Sequence, residues 1–85
     1  MYFTYVIRDR TGLRYTGHTS DLEARLVSHN SGRSRWTKQG SDWKLIHSEV
    51  FQTRSEAIIR ERWLKSGVGR EFINRLLATM DLDTL

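Results

Sequence analysis

The stretch YFTYVIRDRTGLRYTGHT, residues 2–19, decides the fold. Its two ends are rich in aromatic and β-branched side chains, which favour β-strands, and they flank the turn signal DRTG at positions 9–12. With Gly12 in the left-handed conformation, the loop has three residues and closes with Asp9 opposite Leu13. The stretch therefore predicts a β-hairpin.

The turn also sets the register of this hairpin. A three-residue loop pairs Tyr5 with Gly17 and Ile7 with Tyr15, so both tyrosine side chains lie on the same face of the sheet. A two- or four-residue loop would place them on opposite faces. The turn thus decides whether the two tyrosines can share a site.

The rest of the chain predicts an α+β fold, a small antiparallel three-stranded sheet flanked by helices. Ser20 or Asp21 can cap a first helix. Thr53-x-x-Glu56 is a capping box that opens a second helix, and Gly67 is placed to end that helix in the left-handed conformation. The predicted elements are strands at about 2–8, 13–17 and 43–51 and helices at about 21–29, 54–66 and 70–79.

Length and composition bound the class of protein. The chain has 85 residues, enough for one domain, which we predict over 1–79 with a frayed tail at 80–85. The 14 Lys and Arg against 10 Asp and Glu give a net charge of +4, which favours a polyanionic partner. There is no cysteine for a disulfide or a thiolate metal site, so the expected compartment is the cytoplasm. No apolar run is long enough to span a bilayer, so no membrane association is expected.

The hairpin tyrosines belong to a larger set of residues with an informative order and spacing. The set comprises Tyr5, Tyr15-Thr16-Gly17, Arg25 with His29 one helical turn on, and Glu61 on the second helix. It resembles the GIY-YIG endonuclease family, with Phe3-Thr4-Tyr5 at the first signature and Tyr15-Thr16-Gly17 at the second. The resemblance covers nearly the whole chain and is closest to the short stand-alone bacterial members.

For Glu61, the resemblance implies the role of ligand to a single divalent cation, Mg²⁺ or Mn²⁺. One carboxylate makes a weak site, so the ion is expected mainly with substrate bound, when phosphate supplies further ligands. From the residues alone, Glu61 near the middle of an apolar arc needs a partner. That partner could equally be Lys65 one turn on, or a tyrosine hydroxyl of the sheet.

For the other members of the set, the resemblance implies roles in activating water and binding phosphate. Tyr5 is expected to be the general base, with a pKa lowered by a nearby cation and arginine, and Tyr15 to orient water or phosphate. Which tyrosine is the base stays open, and both could be ordinary packing residues. Arg25 is expected to clamp phosphate, with a surface ion pair in its own helix as the alternative, and His29 to support the site.

Six further residues are predicted to contact nucleic acid. Gly17 fits a place where backbone passes close to substrate or to the following helix. The polar, basic segment 30–41 combines cations with an aromatic ring, which suits phosphate neutralisation and base stacking, although a solvated loop with its tryptophan on the core has the same composition. The six residues are Gly17, His18, Arg33, Arg35, Trp36 and Lys38.

The sequence therefore predicts a metal-dependent endonuclease that hydrolyses phosphodiester bonds, with DNA favoured over RNA and structured or damaged DNA as the target. The rivals are a nucleic-acid-binding module of the same fold that does not cut, and an adaptor targeted by a protein partner. The family's additional polar residue near the C-terminus has Asn74 as its only candidate here.

Overall fold

The computed structural model describes residues 1–35 and 37–83. It confirms the α+β fold, with a three-stranded antiparallel sheet in the order β2-β1-β3. The elements in chain order are β1 (Tyr2–Arg8), β2 (Arg14–Thr19), α1 (Leu22–Asn30), a 3-10 turn (Thr37–Gln39), β3 (Lys44–Phe51), α2 (Arg54–Lys65) and α3 (Gly67–Asp83). No helix of the described residues is long and apolar enough to cross a membrane.

The predicted hairpin register is confirmed. Tyr5 pairs with Gly17 and Ile7 pairs with Tyr15. The turn closes with the Asp9 N–H donating to the Leu13 carbonyl at 2.9 Å. Gly12 has a φ of +99°, the left-handed conformation that the loop requires.

The Asp9 side chain explains why the turn takes this form. Its Oδ1 accepts hydrogen bonds from the Thr11 N–H at 3.0 Å and from the Leu13 N–H at 2.8 Å. The N–H groups of the turn, which have no strand partner, are thereby satisfied by a carboxylate that is itself buried.

The sheet is covered on both faces. On the face that we call the α1 face, Tyr5, Ile7 and Trp43 form a buried cluster against which the two leucines of α1 pack. On the opposite face, the α2–α3 face, Val6 packs with Leu64 and other apolar residues of α2 and α3. This division follows from the alternation of side chains along β1.

The N-terminal caps of α1 and α2 are as predicted, whereas the predicted C-terminal cap of α2 is wrong. Asp21 caps α1 by accepting from the Ala24 N–H, and the capping box of α2 is formed in full. Gly67 does not end α2 in the left-handed conformation, because it is the first residue of α3, which runs on to Asp83.

The break between α2 and α3 is made by Ser66 instead. Its backbone is extended, with φ −76° and ψ 170°, and its hydroxyl accepts from the Gly69 N–H at 3.3 Å. A β-carbon at Gly69 would collide with the backbone of Leu64, so this glycine lets α3 approach α2 closely. The break between the two helices therefore depends on the Ser66 cap and on the close contact at Gly69. It does not depend on a left-handed glycine at position 67.

Candidate active site

A hydrogen-bonded cluster on the α1 face surrounds the hydroxyl of Tyr5, a residue only 1% exposed. Nε2 of His29 lies 2.7 Å from this hydroxyl, and Nε of Arg25 donates to it at 3.3 Å. The Tyr15 ring lies 6.2 Å from the Tyr5 ring and 4.9 Å from the His29 ring, measured between centroids. Strand and helix thus bring together four of the predicted site residues, which with Thr37 we call the tyrosine cluster.

Gly17 is required by this packing. A β-carbon there would lie 2.8 Å from the Tyr5 hydroxyl and 2.9 Å from Cε1 of Tyr15. A close approach is present, and its partners are the two tyrosine rings rather than the following helix. Contact between Gly17 and substrate stays a prediction.

Thr37 is a member of the cluster that the sequence did not reveal. Its hydroxyl lies 2.7 Å from Nδ1 of His29, and its carbonyl accepts from the Trp43 indole N–H at 2.8 Å. The side chain of Asn30 binds the backbone N–H and carbonyl of Trp43, which fixes the far end of the loop. Thr37 sits in a polar segment without periodicity, so no local pattern indicated that it would be buried against His29.

Burial controls the protonation of the cluster. It raises the pKa of the Tyr5 hydroxyl to about 12, against a weaker opposing effect of the Arg25 hydrogen bond. Burial and the Arg25 charge lower the pKa of His29 to about 4. Without a bound metal ion the Tyr5 pKa is therefore raised, and the lowered pKa expected beside such an ion stays a prediction. At neutral pH Tyr5 is a phenol and His29 a neutral imidazole.

Arg25 is directed at the tyrosines. Burial alone would lower its pKa, but hydrogen bonds to Tyr5 and Tyr15 raise it, so the guanidinium is charged at all relevant pH values. Asp21, one of the carboxylates that could have paired with Arg25 on the surface, caps the helix instead. A cation is thus held beside two phenols.

Glu61 lies in a second group, the carboxylate cluster, formed with His18 and Lys65. Its side chain is 16% exposed, with Oε1 at 2.6 Å from Nδ1 of His18 and Oε2 at 2.6 Å from Nζ of Lys65. Burial raises the pKa of Glu61, but the hydrogen bonds with Lys65 and His18 lower it by more. The pKa is therefore below its usual value and the carboxylate is ionised. The ion pair with Lys65 is one of the two partners that the sequence suggested for Glu61 if it has only a structural role. His18, which was predicted to contact nucleic acid, binds Glu61 in this structure.

The two clusters lie on opposite faces and meet at the edge strand β2. His18 pairs with Thr4, so its side chain is on the α2–α3 face, whereas the residues that pair with Tyr5 and Ile7 are on the α1 face. The Glu61 charge still contributes to the raised pKa of Tyr5. Glu61 therefore acts on the tyrosine cluster through its field, while the hydrogen bonds described for it go to His18 and Lys65.

The predicted basic loop carries its cations on the surface. The side chains of Arg33, Arg35 and Lys38 are exposed, while the neighbouring Ser34 and Thr37 are buried. Trp36 lies outside the described residues. The loop therefore presents three positive charges next to the helix that supplies Arg25 and His29.

The donor set fits a hard cation held by one protein carboxylate. Glu61 supplies ionised oxygen ligands in a partly buried position, which Mg²⁺ and Mn²⁺ prefer. Within the described ranges, no group of three or more His, Cys, Asp or Glu side chains could enclose a metal. An ion at Glu61 would hence keep water or phosphate as its other ligands.

A protein-family model, several curated proteins and a solved structure are similar to this chain. The GIY-YIG catalytic domain model matches residues 1–74. A UPF0213 protein of Staphylococcus saprophyticus is 35% identical over 66 residues, which are 76% of this chain and 80% of that protein. UPF0213 protein YsiG of Lactococcus lactis is 38% identical over 71 residues, 82% of this chain and 68% of that protein. The solution structure of a UPF0213 protein from Bacillus halodurans aligns with a TM-score of 0.53 and 28% identity, over 89% of this chain and 85% of that one.

Proposed function

Since the chain belongs to the GIY-YIG family, a family of the nuclease type, we propose that it is a divalent-metal-dependent endonuclease that hydrolyses phosphodiester bonds in DNA. The observation that carries the proposal is the Tyr5 hydroxyl, which contacts both Arg25 and His29 and lies within the field of Glu61. A base, a phosphate clamp and a metal ligand are thus available around the edge strand. Branched, nicked, flapped or damaged DNA is the proposed target.

Proton transfer runs from water through Tyr5 to His29. With a pKa of about 12, Tyr5 is ionised in only roughly one molecule in 10⁵ at pH 7, so a standing phenolate is a poor base. A relay to His29 avoids a standing phenolate. It needs a higher His29 pKa than the value of about 4 set by burial and the Arg25 charge, and a bound phosphate would raise that pKa by pairing with the Arg25 charge. As Tyr5 accepts the proton of the attacking water, its own proton passes over 2.7 Å to Nε2 of the neutral His29.

Arg25 binds the scissile phosphate and opens the way to Tyr5. Its hydrogen bond to the Tyr5 hydroxyl is long, at 3.3 Å, and is therefore weak. A phosphate oxygen is the stronger acceptor for a guanidinium, so Arg25 turns toward phosphate when substrate binds. The Tyr5 oxygen then has a free lone pair for the water proton, and the cation stabilises the charge that grows on phosphate.

Glu61 would hold the metal ion. When bound, Mg²⁺ or Mn²⁺ supplies a Lewis acid that polarises a phosphate oxygen and stabilises the leaving oxygen. Lys65 donates to Oε2 of Glu61 and is half exposed, so it can leave that oxygen for the solvent. His18 stays beside Oε1 and orients the carboxylate.

The rival function is a nucleic-acid-binding module that does not cut. The observation in its favour is that both oxygens of Glu61 already have nitrogen partners, so the carboxylate is satisfied without a metal. An adaptor role, in which a partner protein supplies targeting, is compatible with the same surface.

A cleavage screen separates these functions. End-labelled linear, nicked, flapped and branched DNA, with matched RNA, is incubated with the protein and Mg²⁺, Mn²⁺ or EDTA. The proposal expects metal-dependent products from at least one DNA substrate that disappear in EDTA. Protein that binds these substrates but never cuts any of them would establish the binding module instead.

A further inference from the structure

A groove beside the candidate active site has only positive charges among its lining side chains. It lies between the start of β2 and the α2–α3 junction, with Leu13, Tyr15 and Ile73 in its apolar lining. Its charged lining residues are Arg14, Lys65 and Arg70, all exposed, and no described Asp or Glu lines it. Since Lys65 is paired with Glu61, the positive potential of the groove comes mainly from Arg14 and Arg70.

The groove is continuous with both clusters of the site. Tyr15, which lines it, packs on the His29 ring, and Lys65, which lines it, binds Glu61. Arg14 is held in place from the far side, because its Nη1 donates to Oδ1 of Asn74 at 2.6 Å. This bond gives a structural role to Asn74 and orders a guanidinium that would otherwise rotate freely in solvent.

We propose that this groove binds the phosphates of the nucleic-acid strand next to the scissile phosphate. The inference rests on the proposed function for its substrate class, and it adds the path that the strand takes. The occupant is chosen by charge, since cations on both sides of a groove, one of them held by Asn74, complement a phosphodiester backbone. The strand then runs over the edge strand β2, with the loop cations near α1 on one side of the site and Arg14 and Arg70 on the other.

The test compares two double variants of equal charge. Arg14→Ala with Arg70→Ala removes the groove cations, and Arg62→Ala with Arg75→Ala removes two exposed arginines of α2 and α3 that do not line the groove. Binding to a fluorescein-labelled DNA duplex is followed by anisotropy in EDTA over a salt series. Each lost phosphate contact should lower the slope of log K against log salt by about 0.9, so the groove variant should lose nearly 2 and the control little.

The outcomes separate this inference from the proposed function. Equal slopes in the groove and control variants would overturn the groove, even if wild-type protein cuts DNA. If wild-type protein binds DNA but never cuts it, the proposed nuclease function is wrong. The groove is then tested by the slope of log K against log salt alone. Absence of wild-type binding to DNA overturns both.

A second inference concerns the tautomer of His29 and does not depend on the nuclease function. The neutral ring carries one N–H, yet it has oxygen neighbours at 2.7 Å on both nitrogens, Tyr5 at Nε2 and Thr37 at Nδ1. One oxygen must donate and the other accept. The phenol is the more acidic hydroxyl, and Arg25 already donates to its oxygen, so its own proton is the stronger donor.

We infer that Thr37 accepts from Nδ1–H and thereby keeps Nε2 of His29 unprotonated toward Tyr5. Thr37 is a positioning residue in this scheme, since it touches the ring and not the reacting atoms. The ¹⁵N and ¹H signals of the His29 ring report the tautomer directly. Wild type should show the Nδ1–H form, Thr37→Ser should keep it, and the isosteric Thr37→Val should populate the Nε2–H form.

The same variants give a functional readout. If His29 receives the Tyr5 proton, Thr37→Val should lower kcat by about tenfold or more with KM nearly unchanged, and Thr37→Ser should restore most of it. A wild-type ring in the Nε2–H form would overturn the inference. An unchanged tautomer in folded Thr37→Val protein would overturn it as well.

Discussion

On the α1 face, the Tyr5 hydroxyl is buried beside a neutral imidazole and a weakly bonded guanidinium, and its pKa rises to about 12. On the α2–α3 face, Glu61 is ionised between a histidine and a lysine, and its pKa falls. Both residues are partly or fully shielded from water, so burial alone does not explain the difference. Partners do, because Glu61 has nitrogen partners on both oxygens, one of them the Lys65 ammonium, whereas Tyr5 has a neutral imidazole and one long bond from Arg25.

The comparison teaches that the two clusters have different tasks. A buried cluster of hydrogen-bonded rings can pass a proton from one ring to the next, while an ionised carboxylate at the edge of the sheet can attract a cation. Each of the following predictions tests one side of this division.

The largest effect is expected from Glu61→Gln. The side chain keeps its shape but loses the charge that would hold the metal, so cleavage should fall by about a hundredfold or more. Affinity for DNA in EDTA should be kept or rise, as repulsion of phosphate is removed. Rates and affinities are measured on one substrate at fixed salt, with Glu23→Gln as the control for loss of one carboxylate. Equal cleavage by Glu61→Gln and wild type would remove the metal role.

Arg25→Ala should damage both cleavage and binding, because in the proposed mechanism this guanidinium contacts phosphate before and during the reaction. We expect a loss of cleavage of several tens of fold together with a several-fold loss of affinity. Arg62→Ala, an exposed arginine on α2, provides the matched control. A variant that binds normally and cuts slowly would show instead that Arg25 acts only through the tyrosines.

Acid should weaken the tyrosine cluster. The pKa of His29 is about 4 in the folded protein, below its unfolded value near 6.5, so the unfolded chain binds more protons between these pH values. The contribution of His29 to the free energy of unfolding should therefore be complete well above pH 6.5 and fall by roughly 3 kcal/mol as the pH drops to 4.

Urea unfolding at pH 7 and at pH 4.5, followed by circular dichroism, measures this effect. In His29→Asn, the decrease in the free energy of unfolding that is caused by protonation of this ring should vanish. The His47→Asn control should keep that decrease. An identical pH dependence in wild type and His29→Asn would show that His29 is not buried as a neutral ring.

The smallest effect is expected from Lys65→Ala. Lys65 competes with a metal for Oε2 of Glu61, so its removal should raise Mn²⁺ affinity about two- to fivefold, the range of a half-exposed ion pair. Electron paramagnetic resonance of free Mn²⁺ measures binding without reference to activity. Lys38→Ala, which removes an equal charge from the loop, should change Mn²⁺ affinity less. A weaker Mn²⁺ affinity in Lys65→Ala would show that Lys65 positions the carboxylate for the ion.

Several features of the fold and site followed from local sequence. The register of the hairpin could be predicted because Gly12 and Asp9 allow one turn, and a turn of that length leaves one pairing of Tyr5 with Gly17. The capping box of α2 is equally local, since its donors and acceptors lie within one turn. Arg25 and His29 share a helix face by spacing alone.

Other features were decided by tertiary structure. Thr37 reaches His29 only because the loop is tied down at Trp43, and His18 meets Glu61 only because α2 packs across β2. The pKa of Tyr5 is raised in the protein without a metal ion because its value depends on how much water the assembled core excludes. Local sequence determines the hairpin turn, its register and the N-terminal caps of α1 and α2, where the interacting groups are chain neighbours. Burial, proton sharing and the split of the site between two faces depend on groups far apart in the chain, which only the packed structure brings together.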